Sequence, residues 1–325
     1  MSQGCRCFVR KMLAVGLALS LSSCATAEFL GCGSGGEDVP FDVEKNKLEP
    51  CLKRDKNGAF EADSVAHPVY CFPGDPNQSS DRKPPVLLLH ELPGLSGKTL
   101  HYAKELSQNF TVYVPLLFGE RHMYSTRRGF FAVWSNGEWE QPEPGNSTHG
   151  HSKIVKWLRA VVKEIEHLHW GQPIGVIGNC LTGSLPLALL DNPRIHAVVL
   201  AQPTLPLTIF DNGEEVRSSL GISQEEIEEA KQSSARIFYL RFEQDCISKP
   251  EKRWMVWDIF TEQSAVPDRV IPHQIPKDKH PIDNAHSTLI GEWSEAESGR
   301  ASRDAREDVR RFLRDPKTFK LKGEQ

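Results

Sequence analysis

Short, continuous apolar runs recur along this chain, and helix-patterned stretches fall between several of them. Val86–Leu89, "FTVYVPLL" (110–117), "PIGVIG" (173–178), "IHAVVLAQP" (195–203), "ARIFYLRFEQD" (235–245) and "RVIPHQIP" (269–276) all read as strands. Those without polar alternation are typical of strands buried on both faces of a parallel sheet. Helical spacing is clearest in Lys153–His169, where Ile154, Trp157, Leu158, Val161, Val162 and Ile165 share one side. Lys98–Gln108, the acidic stretch Ser223–Ala230 and Ala301–Leu313 read as further helices. This alternation predicts an α/β domain with a mostly parallel sheet and helices on both faces, with its chemistry at the carboxyl ends of the strands.

The chain has 325 residues, 39% apolar and 25% charged, with a net charge of -4. That is ordinary for one globular α/β domain with extensions, and no basic stripe points to nucleic acid. The first residues differ from the rest. Arg6, Arg10 and Lys11 precede the apolar run Met12–Leu21, which is too short to cross a bilayer and reads as an export signal. It ends in Leu21-Ser22-Ser23-Cys24, which resembles a bacterial lipobox; that resemblance implies lipidation of Cys24 and a membrane anchor in the cell envelope. Plain cleavage after Ala25-Thr26-Ala27 is the other reading. The expected layout is a signal at 1–23, a tether at 24–47, an extension at 48–80, the main domain at 81–316 and a tail at 317–325.

Eight cysteines are present, and an exported body would keep Cys32, Cys51, Cys71, Cys180 and Cys246, an odd number. Cys51 and Cys71 flank a turn at Lys56-Asn57-Gly58, so a disulfide between them is one expectation. Neither a CxxC pair nor an HExxH motif occurs, so no metal or cofactor is expected.

The segment "GNCLTG" (178–183) places Cys180 just after the strand "PIGVIG" and before the apolar "SLPLALL". A nucleophile on a strand-to-helix turn needs small neighbours, usually as G-x-S-x-G. Here Gly178 stands two before, while Thr182 takes the near place and Gly183 comes one later. A helix starting after Cys180 would favour an anion at its N-terminus and lower the thiol pKa. Buried cysteines are more often structural, so the case rests on partners. Asp245 ends the strand "IFYLRFEQD" and His286 lies in "DNAHSTL", which gives the order nucleophile, acid, base of the α/β-hydrolases. Glu243 competes with Asp245, and His273 and His280 compete with His286. Trp254 and Trp257, at helical spacing, read as core; Phe130, Phe131, Trp134 and Trp139 read as packing residues or a pocket lining.

With these residues in place, the stretch "PVLLLHELPGLSGKTLHYAKELSQNFTVYVPLLFGE" and the Cys180 segment resemble the dienelactone hydrolase family. The resemblance covers about Pro84 to Leu313. It implies an α/β-hydrolase fold, Cys180 as nucleophile, Asp245 as acid, His286 as base, and Glu91 as a first-loop glutamate that meets the resting thiol. An oxyanion hole is expected from the backbone N–H groups of Leu92 and Leu181. Arg121, Arg127 and Arg128 are candidates to hold a substrate carboxylate. The implied activity is cysteine-dependent hydrolysis of small esters or lactones. The alternatives are thioesterase or acyl-transfer chemistry, and a catalytically idle hydrolase-fold binding protein of the envelope, which a disulfide between Cys180 and Cys246 would favour.

Overall fold

The computed structural model describes residues 39–43, 45–46, 48–52, 58–72, 83–121, 128–129, 132–133, 137–139, 152–206, 214, 219–262, 264, 266–279, 285–291, 293 and 299–321. The signal, Cys24, Cys32, Arg127, Phe130, Phe131, Trp134 and His280 lie outside them.

Nine strands are described: β1 (Phe60–Ala62), β2 (Val65–His67), β3 (Val69–Phe72), β4 (Pro85–Leu89), β5 (Thr111–Pro115), β6 (Ile174–Asn179), β7 (Ile195–Ala201), β8 (Arg236–Phe242) and β9 (Val270–Ile275). The helices are α1 (Gly97–Leu106), α2 (Lys153–Leu168), α3 (Gln224–Gln232), α4 (Pro250–Thr261) and α5 (Arg300–Arg314). β1 and β2 form a small hairpin; the other seven strands make one sheet in the order β3-β5-β4-β6-β7-β8-β9. Only β3 runs antiparallel, paired with β5, and each remaining pair is parallel.

The strand pleat sorts the core into two layers. Leu87 and Leu89 of β4 face one side, where Trp157, Leu158 and Val161 of α2 and Val256 and Phe260 of α4 pack. Val86 and Leu88 face the other, against Leu100 of α1 and Val309 and Phe312 of α5. Ser96, Ser152 and Ser223 accept N–H bonds at the starts of α1, α2 and α3, and at α3 Glu226 returns the bond to complete a capping box.

Several expectations are corrected. "SLPLALL" is not an α-helix; the chain makes two 3-10 turns, Cys180–Thr182 and Leu185–Leu189. Pro186 explains this, because an α-helix begun at Cys180 would need its missing N–H for the bond to the Thr182 carbonyl. Trp254 and Trp257 are not core: they are 56% and 36% exposed, and α4 buries Lys252, Val256 and Phe260 instead. The main domain also reaches beyond its expected ends. Phe41, in the expected tether, packs edge-on against Phe72 and His101. Phe319 and Leu321, in the expected tail, are buried, with Phe319 against Phe238 and Phe312.

Cys51 and Cys71 are disulfide-bonded across a separation of 20 residues, which ties the extension to edge strand β3. Cys246 is also disulfide-bonded. Cys180 is a free, buried thiol, so it does not pair with Cys246. Among the described residues no helix is long and apolar enough to cross a membrane, and no cluster of metal-ligating side chains occurs.

Candidate active site

The carboxyl ends of β4, β6, β7 and β8 lie side by side and carry the candidate residues. β6 delivers Cys180 on a sharp turn: its φ is 51°, a left-handed value costly for a side chain other than glycine. Crowding there is severe. A Cβ at Gly178 would stand 2.3 Å from the Thr182 carbonyl oxygen, and one at Gly183 would stand 2.6 Å from Pro203 Cα. Thr182, where the usual spacing has glycine, is accommodated by polar bonding. Its Oγ1 accepts the Asn179 N–H at 2.9 Å and lies 3.0 Å from the Asn179 carbonyl oxygen, to which it donates. The turns after Cys180 are too short to supply much of the dipole expected for stabilising a thiolate.

His286 and Asp245 meet directly. His286 Nδ1 lies 2.8 Å from Asp245 Oδ2 and 2.9 Å from Oδ1. Strand β8 ends at Phe242, three residues earlier than the sequence suggests, so Asp245 sits on the following loop. Its Oδ1 accepts the N–H groups of Ile247 and Ser248, both at 2.9 Å. The Arg241 guanidinium braces this loop, donating to the Asp245 and Ser248 carbonyls at 3.0 and 3.2 Å. Burial disfavours a charged His286, but the Asp245 carboxylate and then the Cys180 sulfur outweigh it and hold the imidazole well above its ordinary pKa. His286 Nε2 is buried with no short bond, and the Cys180 sulfur is near enough to raise the imidazole pKa both by charge and by hydrogen bonding.

Competing residues are placed elsewhere. Glu243 accepts the Lys277 N–H at 3.0 Å in an exposed position, and His273 stacks on Phe238 within β9. Arg121 stacks over the Tyr70 ring, 5.4 Å from its centre, and Arg128 is exposed. Trp139 packs edge-on against Phe118, which fits the packing reading.

The first loop holds His90, Glu91 and Leu92. Burial pushes His90 down to about 4, against the opposing pull of its bond to the Glu91 carbonyl, so the ring is neutral near pH 7. Its Nδ1 donates to that carbonyl at 3.0 Å and its Nε2 accepts the Leu117 N–H at 3.0 Å. Glu91 departs from the role implied by the resemblance. Its carboxylate is engaged by the Ser287 hydroxyl and by Gln202 Nε2, not by the Cys180 sulfur. Burial raises the Glu91 pKa, opposed by His286, those two bonds and Lys98.

Three contributors were missed in the sequence: Gln202, Thr204 and Ser287. Position held a signal, since Gln202 and Thr204 follow the strand beside β6 and Ser287 follows His286. Chemically, the arrangement offers a sulfur nucleophile, an imidazole able to move its proton, and a carboxylate to orient that imidazole.

No family model matches the chain, and no curated protein matches it. In structure it is similar to a candidate dienelactone hydrolase from Klebsiella pneumoniae subsp. pneumoniae, with a TM-score of 0.55 and 14% identity over 78% of this chain and 95% of that one. It is also similar to Est1E from Butyrivibrio proteoclasticus, with a TM-score of 0.51 and 11% identity over 79% of this chain and 97% of that one. The acylaminoacyl peptidase of Pyrococcus horikoshii matches at a TM-score of 0.54 and 12% identity, over 89% of this chain and 46% of that one. With the parallel sheet, the sharp turn after β6 and the order of the site residues, these likenesses establish that the chain has the α/β-hydrolase fold.

Proposed function

We infer that the protein is a cysteine-dependent hydrolase of small esters or lactones, working through Cys180, His286 and Asp245 in the manner of the dienelactone hydrolases. One observation carries this reading above the others. His286 is buried at 2.8 Å from Asp245, and it interacts with a free thiol held on a left-handed turn. Hydrolase-fold neighbours that include a candidate dienelactone hydrolase support the same class.

His286 Nε2 takes the proton of the Cys180 thiol, and the thiolate attacks the ester carbonyl carbon. The new C–S bond pushes the carbonyl electrons onto oxygen, where the N–H groups of Leu92 and Leu181 receive the charge. The C–O bond then breaks and the imidazolium protonates the departing alkoxide, leaving a thioester on Cys180. Water attacks next, losing its proton to His286; the C–S bond breaks, the acid is released, and the proton returns to sulfur. Asp245 keeps Nδ1 protonated throughout.

A disulfide between Cys180 and Cys246 would have favoured the idle reading, and Cys180 is free. Thioester cleavage or acyl transfer would use the same groups with another acceptor. Anchoring through a lipidated Cys24 in a bacterial envelope belongs to this proposal. Lipid should label the expressed chain, and the label should disappear in Cys24→Ala. For the chemistry, Cys180→Ala should lose p-nitrophenyl acetate turnover by at least ~10³-fold while its circular dichroism is unchanged. Full turnover in that folded variant overturns the proposal.

A further inference from the structure

The resemblance assigns Glu91 to the sulfur, but the hydrogen bonds assign it elsewhere. Besides the His286 imidazole, the side chain that meets Cys180 Sγ among the described residues is that of Thr204, whose Oγ1 lies 3.7 Å away. Thr204 is 1% exposed, and its own N–H donates to the Cys180 carbonyl at 3.1 Å. Turn and hydroxyl are therefore held in register by the backbone. Among the described residues the Thr204 hydroxyl makes no other hydrogen bond, so its hydrogen is available to the sulfur.

Glu91 is bonded to groups other than the sulfur. One carboxylate oxygen takes the Ser287 hydroxyl and the other takes Gln202 Nε2 at 3.1 Å. Gln202 is fully buried at a left-handed φ of 37° just past β7. Its Oε1 accepts the Thr288 N–H at 3.2 Å and also the Thr288 hydroxyl. Thus both residues following His286 are gripped, one by Glu91 and the next by Gln202, while Gln202 also holds Glu91. Two cations secure the remainder of this segment: Lys98 Nζ donates to the Gly291 carbonyl at 2.8 Å and Arg306 Nη1 to the Leu289 carbonyl at 3.0 Å.

We propose that Thr204 supplies the side-chain donor that receives the Cys180 thiolate, and that Glu91 is a positioning residue, fixing segment 285–291 and hence the His286 ring without touching the sulfur. The proposal rests on the cysteine-hydrolase reading above. The ionisable groups facing the pair are Glu91 and Lys98 from the β4 side, Asp245 with Arg241 behind it from the β8 side, and Cys180 and His286 themselves. From the β7 side come only the neutral Gln202 and Thr204.

The full chain, with disulfides intact, is alkylated with iodoacetamide across pH, and Cys180 modification is followed by mass. The same preparations are assayed for kcat and KM on p-nitrophenyl acetate. Thr204→Val should move the alkylation midpoint up by about half a pH unit or more, and Thr204→Ser should restore it. Glu91→Gln retains an acceptor for Gln202 and turns its NH₂ toward the Ser287 hydroxyl, so the alkylation midpoint should stay in place. Ser287→Ala and Glu91→Ala should lower kcat by ~10- to 100-fold with little change in KM, and Glu91→Gln should recover most of that loss. If Glu91→Gln shifts the alkylation midpoint while Thr204→Val does not, the division of roles is overturned. Unchanged kcat in Ser287→Ala equally ends the positioning role, and this variant serves where Glu91→Ala does not fold. Cys180→Ala is the control for the underlying reading: turnover surviving in it sinks the hydrolase mechanism, whereas the alkylation midpoints report on Thr204 independently of any substrate.

Discussion

His90 shows how a single neutral side chain shapes both the first loop and the pH response. It bridges the Glu91 carbonyl and the Leu117 N–H, packs against Phe118 and is completely buried. The unfolded chain protonates this histidine near its ordinary value of 6.5, the folded chain only at about 4. Its contribution is therefore complete above pH 6.5 and is lost as pH falls towards 4, which amounts to about 3 kcal/mol across that window. Urea midpoints between pH 7 and 4 should fall accordingly, and His90→Gln should flatten the slope; an unchanged slope contradicts a neutral buried His90. His286 has the opposite sign, since its folded pKa is raised and its contribution is lost only as pH climbs through that higher value. Among single residues, the meeting of Asp245 with His286 and the sharp turn at Cys180 were foreseeable from chain order. The partners of Glu91 were not, because its bonds to Ser287 and Gln202 cross 196 and 111 positions of sequence and no local pattern records them.

At the scale of elements, the sheet was legible almost in full, because buried parallel strands advertise themselves as unbroken apolar runs. The elements around the nucleophile were harder to read. Pro186 converts the expected helix into 3-10 turns, and Thr182 replaces a glycine by bonding its hydroxyl to the turn it occupies. The displaced glycine remains necessary, since the 2.6 Å approach of Pro203 to a Cβ at Gly183 leaves no space. Gly183→Ala should destabilise the protein by about 1–3 kcal/mol and reduce kcat more than KM, as chemical denaturation and steady-state kinetics would reveal. Wild-type behaviour in both would mean the turn is looser than described. Helix α4 misled for a different reason. Its tryptophans share a side, but Lys252 takes an inward position because the Leu205 and Ser219 carbonyls receive its Nζ at 2.9 and 2.6 Å. Periodicity cannot foresee a lysine whose partners lie some forty residues away.

Across the whole molecule, the disulfide and the site lie in different regions of one sheet. Cys51–Cys71 fastens edge strand β3, whereas the site forms over central β4, β6, β7 and β8. Replacing both cysteines with serine should cost about 3 kcal/mol of stability, with kcat on activated esters within twofold of the parent at temperatures where both are folded. A collapse of kcat in the folded variant would place the extension within the site. Domain ends were only partly legible: Phe41 and Phe319 join the core through a few aromatic contacts that composition alone does not reveal. The central claim is that one sulfur carries the acyl group. Rapid mixing of the full chain with excess p-nitrophenyl acetate, acid quench and peptide mass mapping tests it directly. The account predicts one acetyl group on Cys180 that appears with the nitrophenolate burst and is absent from Cys180→Ala. Acetyl on another residue, with Cys180 unmodified and turnover intact, would contradict it.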